Sequence, residues 1–137
     1  MDVTLALIAD AANVERGGKL NVLGVFDTVN SREFPAVQPM MYLVVKFEAG
    51  AAEIGQLRKF EAVLSAADGE RLAGISAEMT VPRNLLEGRK ATWLEILPLP
   101  NTPFEHPGDY EIAILVDGDQ KASVPLRAVL TAEEKED

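Results

Sequence analysis

Two segments of this 137-residue chain alternate apolar and polar residues around an Asp-Gly pair, the pattern of two β-strands folded back on each other. They span residues 57–81, around Asp68-Gly69, and residues 108–129, around Asp117-Gly118. Asp-Gly suits a tight hairpin because both residues tolerate positive φ. In the first segment a two-residue turn sets Leu64 opposite Ala73, Ala62 opposite Ile75, Phe60 opposite Ala77 and Arg58 opposite Met79. The other face then pairs Lys59 with Glu78 and Glu61 with Ser76. A one-residue slip would exchange core and solvent faces, so this register is strongly specified. In the second segment a two-residue turn mixes the faces, placing Ile114 against Lys121. A three-residue turn, Asp117-Gly118-Asp119, pairs Ile114 with Ala122, Ile112 with Val124 and Tyr110 with Leu126, and brings Asp109 opposite Arg127.

Period two recurs elsewhere, and no long stretch carries the 3.6-residue period of an amphipathic helix. Further strands are expected at 3–12, 19–29, 41–49 and 91–97. The turn Glu15-Arg16-Gly17-Gly18 sets Leu7 opposite Phe26, Ala9 opposite Gly24 and Ala11 opposite Val22. Pro35 and Pro39 mark 30–40 as a loop. Pro98, Pro100, Pro103 and Pro107 mark 98–107 as another, because proline offers no N–H to a ladder. Residues 50–56 and 82–90 read as irregular connections, and Pro125 argues for an edge position of the last strand. The sum is an all-β, two-sheet antiparallel sandwich of about eight strands, immunoglobulin-like or C2-like. It occupies 1–130 as one domain, followed by an acidic disordered tail, 131–137.

Cysteine is absent, which removes disulfides, thiolate metal sites and cysteine nucleophiles. The net charge of −9 repels phosphate backbones and anionic lipid, and the only adjacent basic pairs are Arg58-Lys59 and Arg89-Lys90. Neither nucleic acid nor a membrane surface is an expected partner. The apolar start carries Asp2 where a secretory leader needs a basic residue, and Asp10 ends the run early. A cytoplasmic location is therefore expected.

Candidate chemistry is sparse. The single histidine, His106, lies between Pro103 and Pro107 and reads as a turn residue, with no nucleophile elbow anywhere in the chain. Asp117 and Asp119 bracket a turn, with Asp109 at the other end of the same strand, so a loop-end calcium site is conceivable. Aspartate and glycine are also what tight turns are made of, and that reading is preferred. No catalytic residue and no cofactor is expected, and a hydrolase built on paired carboxylates ranks last. Tyr110, just after Gly108-Asp109, resembles the corner tyrosine of immunoglobulin-like sandwiches, whose hydroxyl ties down a connection.

One feature points outward. Several strands are apolar on both faces, and Ile8, Leu23, Val25, Tyr42 and Val44 form an apolar second face. Such a face needs cover from the chain's own loops, from a second copy or from another protein. The expected function is a non-enzymatic binding or assembly module acting through protein–protein contacts, with self-association one form of it. The alternative is a ligand-binding sandwich holding calcium or a small polar molecule at a loop end.

Residues 1–13 (MDVTLALIADAAN) with 18–27 (GKLNVLGVFD), and residues 107–118 (PGDYEIAILVDG), resemble a family of small bacterial proteins of unknown function. The resemblance covers both ends and reaches the middle only through alternation. It implies a stand-alone, single-domain cytoplasmic protein and carries no site residues with it.

Overall fold

The alternating pattern resolves into strands throughout the computed structural model, which describes residues 1–83 and 90–132, together with the backbone of 85–86. The strands are β1 (Asp2–Val14), β2 (Leu20–Phe26), β3 (Thr28–Ser31), β4 (Ala36–Gly50), β5 (Leu57–Ala66), β6 (Arg71–Thr80), β7 (Leu85–Leu86), β8 (Lys90–Phe104), β9 (Gly108–Val116) and β10 (Asp119–Leu130). A 3₁₀ turn, Ala51–Glu53, follows β4, and no α-helix occurs among the described residues. The fold is all-β, in two five-stranded sheets ordered β2-β1-β4-β8-β7 and β3-β10-β9-β5-β6. Met41, Leu43, Val45 and Phe47 of β4 meet Phe60 and Leu64 of β5, Ile112 and Ile114 of β9 and Val124 and Leu126 of β10 in one buried cluster. Phe47 lies at its centre, edge-on to Phe60 at 5.3 Å and stacked on Trp93 at 5.4 Å.

The β5–β6 hairpin adopts the expected register at each predicted pair, from Leu64 opposite Ala73 to Arg58 opposite Met79. Its turn is longer than the expected two residues: Ala66 N–H to Glu70 C=O and Gly69 N–H to Ala66 C=O, both at 2.9 Å, close a three-residue turn, and a register shift between Leu64 and Ser65 takes up the extra residue. Along β9–β10 the pairs Ile114–Ala122, Ile112–Val124, Tyr110–Leu126 and Asp109–Arg127 also form. The turn between them differs from expectation in the opposite sense. It is a two-residue Asp117-Gly118 turn, both at positive φ (50° and 85°), and the extra residue is taken up by a register shift between Gln120 and Ala122. A bulge inside the strand thus restores the faces that a simple two-residue hairpin would have mixed.

Four other expectations are corrected. Strands β1 and β2 pair Ile8 with Phe26, one residue away from the expected Leu7–Phe26 pair. Their turn contains five residues, not four, closed by Glu15 N–H to Lys19 C=O and Gly18 N–H to Glu15 C=O, both at 2.9 Å. The expected loop 30–40 contains the end of β3 and the start of β4, and β8 runs through the proline-rich stretch to Phe104. Pro98 and Pro100 sit opposite Tyr42 and Met40, while the far edge of β8 has a partner strand only at Lys90 and Ala91. Alternate prolines on an open edge cost no ladder hydrogen bond. Pro39 likewise follows the loss of the β1 neighbour beyond Tyr42. Lastly, β10 is not an edge strand, because β3 runs parallel to it from Arg127–Thr28 to Leu130–Ser31. Pro125 lies just before that pairing starts, where one side of the strand is still open. The second sheet is therefore mixed, not purely antiparallel.

Tyr110 ties its corner. Its hydroxyl donates to the His106 carbonyl at 2.6 Å and accepts the His106 N–H at 3.2 Å, and its ring stands edge-on to Phe104 at 5.0 Å. The connection 82–90 and the acidic tail fall largely outside the described residues.

Candidate functional site

The outer face of the first sheet follows from its register. Successive cross-strand rows are Val25–Ala9–Tyr42–Pro98, Leu7–Val44–Ile96 and Leu5–Lys46–Leu94. Of the five residues predicted for this face, Val25, Tyr42 and Val44 lie in these rows, and Leu23 follows beside Ala11. Ile8 does not belong. It is fully buried opposite Leu43 and Phe26 in the core, because the longer turn and the irregularity between Val3 and Leu5 put Leu5 and Leu7 outward instead. Exposure divides the face in two. Val44 and Ala9 are 0% exposed, whereas Leu23 and Val25 are 71% and 61% exposed.

The tip of the β1–β2 hairpin reaches back over part of this face. Val14 and Leu20, at its end, line the same concavity as Leu5, Lys46 and Leu94, with a volume of about 610 Å³. Leu5 and Val14 are nine residues apart on one strand, so the hairpin must bend back across the sheet for both to reach it. The bend falls beyond Ala9, the last residue of β1 paired with β4. Gly24, at φ 71°, sits in this stretch against the Asp10 side chain, where any Cβ would collide with it. The chain thus roofs part of its own apolar face. Leu23 and Val25 remain open on β2, which is the outermost strand of the sheet.

Lys46 is the site residue that sequence reasoning missed, although its signal is legible: it is the one charge in the run 41–47. It is exposed on the floor of the trough, and no acidic side chain lies within ion-pair distance of it among the described residues. Glu48, two residues on, pairs with Lys90 at 2.9 Å, and that contact raises the Lys90 pKa.

The predicted carboxylates do not converge. Asp109 and Asp117 sit at opposite ends of β9. Asp109 pairs with Arg127 at 3.3 Å, while Asp117 accepts the Lys59 N–H at 2.9 Å and meets Arg58 at 3.4 Å. Arg58 also reaches Glu53 at 3.3 Å, and Glu53 caps the Gly50 N–H at 3.0 Å and pairs with the Met1 ammonium at 3.4 Å. The Gly50 hydrogen bond, chiefly, holds the Glu53 carboxyl below its usual pKa. This network clamps one end of the two sheets and leaves Asp117 spent on backbone and arginine. Asp119 is exposed at the start of β10, and no group of three potential ligands forms among the described residues.

Two further features lie between the sheets. Glu95 pairs with core-facing Val45, so it shares the inner row of β8 with Trp93; burial raises its pKa and the Trp93 hydrogen bond partly opposes that shift. An apolar cleft of about 240 Å³ opens where β8 faces β6, lined by Leu64, Ile75, Leu99, Pro100 and Thr102 among others. The Thr102 hydroxyl is occupied by the Leu99 carbonyl at 3.3 Å.

Residues 4–129 match a family described as "Family of unknown function (DUF6941)". The chain belongs to that family. This agrees with the resemblance carried by the two ends of the sequence. No curated protein matches the chain. Among solved structures it is similar to "Pseudomonas fluorescens alkylpurine DNA glycosylase AlkC bound to DNA containing an abasic site analog", at 11% identity and a TM-score of 0.51. The likeness covers 93% of this chain but only 30% of the glycosylase, and at that identity it shows a shared fold alone. No helix among the described residues is long and apolar enough to cross a membrane.

Proposed function

We propose that this DUF6941 member is a non-enzymatic assembly module, an immunoglobulin- or C2-like sandwich acting in the cytoplasm, whose partner is a second copy of the chain. The observation that carries the reading is strand β2. It is a free sheet edge of seven residues, Leu20–Phe26, with no charged residue and no proline, and it displays Leu23 and Val25 largely to solvent. Edge strands are normally protected by lysine, proline or a covering loop, and an unguarded apolar edge is a template for another strand. Its own sequence is compatible with that role. An antiparallel mate centred on Leu23 sets Leu20 opposite Phe26, Asn21 opposite Val25 and Val22 opposite Gly24. Such a contact is isologous, so it closes as a dimer instead of propagating.

Light scattering across a hundredfold range of protein concentration tests the reading. The expected result is a mass that rises from monomer to dimer and stays monomeric in L23D. A mass that remains monomeric throughout, with wild type and L23D alike, overturns it.

A further inference from the structure

We infer that the trough beneath the β1–β2 hairpin binds a small amphipathic anion, with an aliphatic or aromatic body and one carboxylate or equivalent head. Three observations combine. The concavity, about 610 Å³, is of the size that small-molecule sites have. Its aliphatic walls come from β1 and β8, with Leu5 and Leu94, and from the hairpin tip, with Val14 and Leu20. Its floor carries one cation, Lys46, with no acidic partner in reach among the described residues, in a chain whose net charge is −9.

The charge distribution sharpens the assignment. Along β4 the nearest carboxylate on the same face, Glu48, is held by Lys90, and Asp2 adds its own attraction to that lysine. Lys46 is therefore left without a carboxylate in ion-pair contact among the described residues. A lysine ammonium flanked by leucines on both sides, Leu5 and Leu94, suits a ligand with one charge at the end of an apolar body. A neutral hydrocarbon would leave the ammonium without a counter-charge. A polyanion would meet a single cation and a surrounding negative field. The site shares only Leu20 with the β2 edge, and its other residues named here lie off that strand.

Octanoate is the probe, with 1-octanol as its uncharged counterpart. Amide spectra recorded during an octanoate titration are expected to show saturable shifts at Leu5, Lys46 and Leu94. Lys46→Met, which keeps an unbranched apolar stem, is expected to weaken octanoate about tenfold or more while leaving 1-octanol unaffected. Two results overturn the inference: no saturable shift at those amides up to about 10 mM octanoate, or octanoate affinity unchanged in Lys46→Met. An unaltered thermal unfolding curve for the variant establishes that the loss arises at the site.

Discussion

Replacing Tyr110 by phenylalanine removes one oxygen atom and two hydrogen bonds while keeping the ring against Phe104. The hydroxyl bridges both backbone polar groups of His106, donating at 2.6 Å and accepting at 3.2 Å, from a side chain that is itself buried. In the variant the His106 carbonyl and N–H must find water instead. His106 is exposed, so water is available and the cost falls toward the lower part of the usual range, about 1–2 kcal/mol. Unfolding entropy of about 2.1 cal/mol/K per residue converts that into a Tm lowered by about 3–7 °C for a chain of this size. Urea unfolding should show a lower midpoint at an unchanged slope, since the surface exposed on unfolding is the same. Tyr42→Phe is the matched control. Tyr42 is half-buried with no hydroxyl partner among the described residues, and its variant should stay within about 0.5 kcal/mol of wild type. Equal effects from the two substitutions, or none from Tyr110→Phe, would refute the reasoning that the hydroxyl ties the corner.

Glu95 gives a pH-dependent expectation. Burial raises its folded pKa above the unfolded value of about 4.3, so folded protein binds the proton more tightly and its stability falls as pH rises through that window. Glu95→Gln, which can still accept from the Trp93 indole, should melt higher than wild type at pH 7, with the difference closing below about pH 4; thermal scans at both pH values check the sign. Asp117 tests the hairpin turn. Asp117→Ala loses the acceptor for Lys59 N–H and the Arg58 ion pair and places a Cβ-only residue at φ 50°, a cost of about 1–2 kcal/mol in denaturant unfolding. Asp117→Asn keeps both an acceptor oxygen and tolerance of left-handed backbone, and should cost less than half as much.

What could be read from residues in order was whatever local chemistry decides. The β5–β6 pairs were legible because alternation assigns every face, although the turn has three residues, not two, and a register shift between Leu64 and Ser65 absorbs the difference. The β9–β10 pairs were likewise legible from alternation, although the extra residue was placed in the turn and not at Lys121. The β1–β2 register was misread because a turn rich in glycine does not declare its length, and both strands are apolar on both faces. No one-residue slip is then penalised by alternation. That error put Ile8 on the outer face and left Leu5 and Leu7 off it. The proline-rich stretches were misread because whether a missing N–H matters depends on which neighbouring strand is absent.

Sequence alone determined that this is a β-protein, where its best hairpins lie, and that Tyr110 holds a corner, since turn chemistry and alternation act between residues that are neighbours in the chain. Tertiary structure decided which half of the apolar second face is covered. Only the bend of the β1–β2 hairpin brings Val14 and Leu20 to the hollow that holds Leu5, Lys46 and Leu94, while Leu23 and Val25 stay open. Those outcomes depend on where a sheet bends and on which of its edges lacks a neighbour, and neither is a property of any local run of residues.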